Sequence, residues 1–391
     1  MKYNFDEIID RKNTNAIKWE SSSLDILPMW IADMDFKTAP EIIEALQNRI
    51  SHGVFGYTQT PEHFYISIQK WWKKRYQLAI EKESIIPVSG VIPALSAAIR
   101  SLTEKGDQII IQPPVYNHFY NSIQNCKREI VENNLIYNNG FYSIDFEDLE
   151  RKAANPGTKL LLISNPHNPV GRVWTKEELL NIASICQKHN IIVISDEIHC
   201  DLVFNSEKHI PFALLDHQSA KNTITLASVS KSFNLAGLQV GYVFTQNTAL
   251  LNGIKSILQM QEMELLSPFA IESLIVAYNK SEKWLEDLKE YIYHNYIFLA
   301  QFITSELPQI KVVPLQATYL VWLDCSALKV SSDQIAKNLL EDEKLWINSG
   351  SLYGNAGEGF LRINIACPIK VLSEGLERLK RNVIATHIQT D

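Results

Sequence analysis

Between about residue 84 and residue 246 the chain alternates short apolar, β-branched runs with stretches of helical period. The runs are "DQIIIQPPVY", "TKLLLISNPHNP", "NIIVISDEIH", "NTITLASVSK" and "LQVGYVF". Near-continuous apolar runs of this length suit strands buried on both faces; spaced by helical segments, they predict right-handed βαβ units and a largely parallel sheet flanked by helices. The clearest crossover helix is "TKEELLNIASICQKHN", where Thr175 is placed as N-cap, acids fill the first turn, and Lys188 and His189 close the last. Near residue 281 the pattern changes. A long amphipathic stretch, "SEKWLEDLKEYIYHNYIFLAQFITSEL", leads to strand-like "ATYLVWLDC" and "GFLRINIACP", each followed by a helical segment. The chain's 391 residues exceed the ~250 to 300 at which a single core stops growing. The expected fold is therefore α/β, with a large sheet domain over 48–283 and a smaller α+β domain built from 284–391 and the N-terminal segment 1–47.

Every predicted strand of the first region runs into polar residues at its C-terminal end. Tyr116 follows the first, Asn165 and Asn168 the second, Asp196 and His199 the third, and Ser228, Ser230 and Lys231 the fourth. In open α/β sheets ligands bind at that edge, so residues far apart in sequence are expected to converge there.

Composition narrows the partners. With 46% hydrophobic and 21% charged residues and no repeat or low-complexity tract, the chain has the make-up of an ordinary globular protein. A formal charge of -7 gives no electrostatic footprint for nucleic acid or an anionic membrane. The first twenty residues are too polar for a signal peptide, and no uncharged apolar run reaches the ~20 residues of a membrane span. A cytoplasmic protein acting on small molecules is expected. Cys126, Cys186, Cys200, Cys325 and Cys367 are scattered without C-x-x-C spacing, which argues against a disulfide framework and a zinc site and for small buried hydrophobes. His199 and Asp201 of "DEIHCD" lack a second ligand cluster, so no metal is expected.

Taken one at a time, the polar strand ends have plain structural accounts. Lys231 could be a surface lysine in a turn, Asp196 and Glu197 capping acids, and "SNPHNP" a pair of Asn-Pro turns. Together they match one chemistry. A single amine, a carboxylate from the neighbouring strand, and hydroxyls beside a helix start are what pyridoxal 5'-phosphate needs: its aldehyde is held by an amine, its ring nitrogen kept protonated by a carboxylate, and its phosphate anchored. "SGVIPALSAAIR" adds a glycine turn running into a helix N-terminus, a ready anion site.

In order, "SGVIPAL", "PPVYNHF", "SNPHNPVG", "SDEIHCDL", "SVSKSFNLAGLQ" and "FLRINIACP" resemble the fold type I, aminotransferase-like pyridoxal-phosphate enzymes across nearly the whole chain. The resemblance implies that Lys231 carries the cofactor, Asp196 pairs with its ring nitrogen, Asn168 bonds the ring hydroxyl and Tyr116 stacks on the ring. Gly90, Val91 and Ile92 would offer backbone N–H groups to the phosphate beside Ser228 and Ser230, His199 would join the cofactor-binding set, and Arg362 would grip the substrate α-carboxylate as a bidentate fork. One position departs from that pattern: where aminotransferases of this class carry a phosphate-binding arginine, this chain has Gln239.

"LPMWIADMDFKTAP", "GVFGYT" and "GEGFLRINIACP" resemble instead the cystathionine β-lyase and cysteine-S-conjugate β-lyase branch of the same fold. That branch implies α,β-elimination from L-cystathionine or another S-substituted L-cysteine, releasing a thiol, pyruvate and ammonia, with Lys231 as base and Tyr116 or Tyr57 as proton donor to sulfur. It also implies a homodimer with active sites at the interface, in which Tyr57 reaches the phosphate of the other subunit. The alternatives are an aminotransferase of L-amino acids and a pyridoxal-phosphate-binding regulator. The chain shows no helix-turn-helix or basic arm to support the last.

Overall fold

The computed structural model describes residues 3–20, 25–204 and 207–390, side chains of 386–390 excepted; positions 1–2, 21–24, 205–206 and 391 of the expected domain ranges lie outside the described residues. Seven strands form the large sheet: β1 (Ile85–Val88), β2 (Gln108–Ile111), β3 (Glu129–Glu132), β4 (Thr158–Ser164), β5 (Ile192–Asp196), β6 (Thr223–Ala227) and β7 (Gly241–Phe244). Their order is β1-β7-β6-β5-β4-β2-β3. Only β7 runs against its neighbours β1 and β6; every other pairing is parallel. Ile109, Ile110 and Ile111 of β2 and Leu160 to Ile163 of β4 are wholly buried, as strands covered by helices on both faces require. The helix Lys176–Lys188 crosses from β4 to β5. Thr175 caps it by accepting from the Glu178 N–H, while the Glu178 carboxylate accepts from the Thr175 N–H, so two orphan donors are satisfied at once.

β1 and β3 are the two strands of this sheet that the apolar-run pattern does not predict. Both lie at the sheet's edges. β1 carries Pro87, tolerable there because an edge strand need not donate on both sides; β3 is half-exposed along its length, so no buried run marks it. The second sheet is antiparallel: β8 (Lys311–Val312), β9 (Leu320–Asp324), β10 (Asn348–Ser349) and β11 (Phe360–Asn364), in the order β8-β9-β11-β10. The stretch after residue 281 is one helix, Glu282–Glu306, and β9 and β11 are the two strand-like runs after it. All five cysteines are buried and unbridged. No helix among the described residues is long and apolar enough to cross a membrane.

An N-terminal strap fastens the two sheets. Leu27–Pro28 pairs in parallel with Leu345–Trp346. From there the chain runs past β11, where the Asn364 amide donates to the carbonyls of Ile31 and Asp33, both at 2.7 Å. It then meets Asn234, which follows β6 and both accepts from Met34 N–H at 3.0 Å and donates to the carbonyls of Met34 and Phe36. Beneath the strap, Lys18 is 1% exposed and pairs with Asp35 at 2.6 Å, while Arg11 reaches Asp33 and Asp35 at 2.8 Å each. Burial pushes the Asp35 carboxyl up, but Lys18, Trp19 and Arg11 together outweigh it and hold that group below its usual range.

Lys18→Met tests this clamp. Removing one partner strands a buried carboxylate, so we expect a loss of about 3 kcal/mol, the low end for a broken buried pair because Arg11 still faces Asp35. Because the folded Asp35 is more acidic than the unfolded one, its contribution is complete above the unfolded value of 3.8 and fades as pH falls through the lower folded value. Urea unfolding of parent and variant should therefore differ clearly at neutral pH and converge in acid; an equal gap at both would place the effect elsewhere.

Candidate active site

Because β1, β2, β4, β5 and β6 share one direction, their C-terminal ends lie along one edge of the sheet, where a cleft of about 170 Å³ opens. Gly90, Val91, Ile92, Tyr116, Asn168, Asp196, His199, Ser230 and Lys231 all line it. Gly90 ends β1 at a φ of +110°, a conformation that favours glycine, and a Cβ there would sit 3.1 Å from Gln239 Oε1. It opens the helix Val91–Leu102, whose first-turn N–H groups have no intrahelical acceptor and face an anion most readily.

Lys231 follows β6 and donates from Nζ to the Ala32 carbonyl at 2.6 Å. Burial pulls this amine down to about 8 against the opposing charge of Asp33; Arg362 lowers it further and Asp196 opposes. Asp196 ends β5. Its carboxylate accepts one hydrogen bond, from the Ile198 N–H at 3.2 Å, and among the described residues no cation lies within 4.0 Å of it. Burial pushes it up to about 7, with the Ile198 bond and Lys231 acting against the shift. His199 is buried with Nδ1 unpartnered, and burial, then the charges of Lys231 and Arg362, pull it down to about 3, so it is neutral. Tyr116 is pushed up to about 12, first by burial and then by Asp196. Asn168 is set by its own backbone, whose N–H donates to Ser164 Oγ at 3.2 Å.

Arg362, on β11, belongs to a wider groove of about 680 Å³ that shares Tyr116, Lys231, Ala32 and Gln239 with the cleft. Its guanidinium donates to Asn168 Oδ1 at 3.2 Å and to the Trp30 carbonyl at 2.8 Å, and lies 4.7 Å from the centre of the Tyr353 ring. Among the described residues it faces no carboxylate, and its buried Nε has no partner. A buried cation without an internal counter-ion is a ready receptor for a ligand's carboxylate.

Two residues singled out from the sequence stand apart. Ser228 does not line the cleft: its hydroxyl donates to the Val240 carbonyl at 2.5 Å and accepts from the Ser230 N–H at 2.9 Å, so its proton is spent inside the loop. Tyr57 is 98% exposed and borders a surface hollow with Leu265 and Pro268, outside its own chain's cleft. The structure also brings in groups that sequence reasoning did not assign: the carbonyl of Ala32, the Asp33 carboxylate, His118 and Tyr353. Asp33 and His118 left a usable signal, as an acid inside "MWIADMDF" and a histidine inside "PPVYNHF"; a backbone carbonyl leaves none.

The assembled groups are a desolvated amine, a carboxylate without a cation, a guanidinium without an anion, and a helix start free to hold an anion. Fold and site together define an α/β protein with an amine, a carboxylate and a guanidinium gathered at the C-terminal edge of its large sheet. The chain belongs to the family described as aminotransferase class I and II, whose sequence model matches residues 25–379. It is 39% identical to cystathionine beta-lyase PatB of Bacillus subtilis, over 96% of this chain and 99% of that protein. Among solved structures, cystalysin from Treponema denticola, which contains pyridoxal 5'-phosphate, matches with a TM-score of 0.95 and 35% identity, covering 98% of this chain and 100% of that one. The pyridoxal-phosphate-bound C-S lyase from Staphylococcus hominis matches with a TM-score of 0.91 and 34% identity, covering 98% and 99%.

The pKa of Asp196 has a consequence for stability. The unfolded carboxyl releases its proton near 3.8 and the folded one near 7, so its burial weakens the fold progressively as pH rises between those values and most above them. In protein stripped of small molecules, Asp196→Asn should raise Tm at about pH 8.5, where the parent buries a charge, and give no gain at about pH 5, where the parent is already neutral. Equal Tm values at the higher pH would contradict the desolvated carboxylate.

Proposed function

We propose that this protein is a pyridoxal-phosphate-dependent carbon-sulfur β-lyase that converts L-cystathionine or another S-substituted L-cysteine, with water, to a thiol, pyruvate and ammonia. The carrying observation is the pairing in one cleft of Asp196, buried, and Lys231, half-buried, neither with an ion-pair partner, beside a groove that holds a carboxylate receptor at Arg362. The cofactor fits this donor set: Lys231 for its aldehyde, Asp196 for its ring nitrogen, Asn168 for its ring hydroxyl, Tyr116 to stack on its ring, His199 as a further lining group, and Ser230 with Gly90, Val91 and Ile92 for its phosphate. Ser228 takes a supporting part by orienting the Ser230 N–H. When bound, pyridoxal phosphate supplies an electron-accepting ring conjugated to the substrate's α-amino group.

The chain's own residues do the rest. Arg362 orients the substrate by its α-carboxylate through two parallel charge-assisted bonds. Lys231, whose lowered proton affinity leaves much of it neutral near pH 8, takes the proton from the substrate Cα. Asp196 keeps a positive charge on the ring nitrogen energetically favourable by returning its own carboxylate to the charged form. Tyr116 holds its phenolic proton throughout the neutral range and would give it to the departing sulfur. Gln239 occupies the position of a phosphate-binding arginine of the aminotransferases, and its side chain turns to the Ala236 carbonyl at 2.9 Å. The sequence similarity to cystathionine beta-lyase PatB and the fold similarity to a C-S lyase support elimination over amino transfer.

We read the seven-stranded unit, 48–283, as the cofactor-binding domain and 1–47 with 284–391 as the smaller one. We also infer a homodimer. Val54, Phe55, Tyr57, Met260 and Leu265 are each more than half exposed in the single chain, an apolar surface suited to a second copy, and Tyr57 would then reach the partner's phosphate site.

Two measurements test the reading. Purified protein with pyridoxal phosphate should release thiol and pyruvate from L-cystathionine faster than it transfers the amino group to 2-oxoglutarate; a dominant new amino acid with no thiol would replace the lyase with an aminotransferase. Arg362→Lys, which trades a planar fork for a point charge, should cost one charge-assisted bond of about 1.5 to 3 kcal/mol, raising KM at least tenfold. An unchanged KM would mean that another cation holds the substrate carboxylate.

A further inference from the structure

Behind the cleft, a second carboxylate gathers more partners than any group inside it. Asp201 is 2% exposed. It accepts from Trp71 Nε1 at 3.1 Å, Tyr76 OH at 2.5 Å and Ser232 Oγ at 3.1 Å, and pairs with Arg75 Nε at 3.3 Å. These donors come from two places. Trp71, Arg75 and Tyr76 lie on the helix Glu62–Tyr76, while Ser232 is the residue after Lys231. Asp201 itself is five residues beyond Asp196, on the short connection that also carries His199. One carboxylate thus ties the lysine loop, the connection after Asp196 and a supporting helix to a single point. Arg75 extends the tie outward through Glu286 at 2.8 Å, on the helix Glu282–Glu306.

We propose that Asp201 is the positioning residue for Lys231, acting through the Ser232 hydroxyl to hold the lysine loop at its depth in the cleft and at its spacing from Asp196. The inference rests on Lys231 being the reactive amine. Its physical basis is that the Lys231 side chain is anchored at its tip only by the Ala32 carbonyl, so the depth of the amine depends on the backbone that carries it. On that backbone Ser230 is fixed from one side by Ser228, and Ser232 from the other by Asp201. Tyr76 and Trp71 hold the Asp201 carboxylate in place, and the stacking of Trp71 on Tyr278 at 4.5 Å stiffens that support. Arg75 compensates its charge, which keeps Asp201 from adding a free negative charge near the cleft.

Loosening the tie should let the amine move toward water. The charged and titratable groups that face Lys231 are Asp33 from the strap, Asp196 at the end of β5, His199 from the connection after it, His118 from the helix Asn117–Asn125 that follows β2, and Arg362 from β11. None of them is altered by changes at 201 or 232, so a shift at Lys231 would report its depth. Burial is the largest influence on that amine, and relief of burial raises a lysine's proton affinity.

The experiment uses Ser232→Ala, which deletes only the hydroxyl, and Asp201→Asn, which keeps the shape and removes the charge. In protein freed of cofactor, the pH dependence of Lys231 modification by an amine-reactive reagent, followed by peptide mapping, gives the midpoint of its titration. We expect the midpoint to rise by about one pH unit in both variants, relief of burial being the cause. In holoenzyme, kcat should fall about tenfold with KM within about twofold, the pattern of a misplaced base rather than lost binding. An unchanged midpoint in Ser232→Ala overturns the proposal, and so does a lowered Tm with unchanged midpoint and kcat, which would make Asp201 a fold residue only. Should Asp201→Asn fail to fold, Ser232→Ala decides alone. Retained turnover in Lys231→Ala would defeat the functional reading itself, while the midpoint in cofactor-free protein would still report on Asp201.

Discussion

The cleft depends on keeping a primary amine out of water beside a carboxylate that has no cation of its own. An amine in water near neutral pH is almost wholly protonated, and a protonated amine is neither nucleophile nor base. Burial at the sheet edge brings Lys231 to about 8 and lifts Asp196 to about 7, so each is poised near its point of proton exchange. Had the two been in contact as an ion pair, each would have held its charge and the site would have been inert. Instead the Lys231 amine is parked on a backbone carbonyl, which accepts a hydrogen bond without fixing a charge.

That arrangement explains why the N-terminal strap matters more than its lack of regular structure suggests. Its carbonyls at Trp30 and Ala32 are the acceptors for Arg362 and Lys231, two of the cations that line the groove. Asn364 and Asn234 hold it from opposite sides, and the ion pairs of Lys18 and Arg11 anchor the two aspartates that flank Met34. The strap is thus a wall of the site made of backbone. Its precision comes from side chains on elements more than 190 residues away in sequence.

Around the amine, the site divides its tasks among parts of the fold with different rigidity. The parallel strands fix Asp196 and the residues before Asn168 and Lys231, since each strand is hydrogen-bonded on both sides and wholly covered. The helix start at Val91 contributes aligned N–H groups that need no side chain. The antiparallel sheet contributes Arg362, which faces the cleft because alternate residues of β11 point to one side. Arg362 and Asp196 therefore sit on different sheets, and the groove runs where the two meet.

The apolar runs alone determined the core strands of the large sheet, because burial on both faces demands continuous β-branched sequence and little else does. They pointed equally to one edge of the sheet, since Tyr116, Asn168, Asp196 and Lys231 each come where a run stops. β1 and β3 escaped because edge strands need neither continuous hydrophobicity nor an unbroken row of donors. For the site, side-chain identity at a strand end was enough to point to Lys231, Asp196, Asn168 and Tyr116, whereas Arg362, in the middle of β11, was pointed to only by the resemblance of "FLRINIACP". It was not enough to say which way a hydroxyl turns: Ser228 and Ser230 look alike in "SVSK", yet one is committed to Val240 and the other lines the cleft. Nor could the sequence show the Ala32 carbonyl or the convergence of Trp71, Tyr76 and Ser232 on Asp201. A backbone acceptor has no letter of its own, and a buried hydrogen-bond network is defined by distances that exist only once helix, strap and sheet are packed.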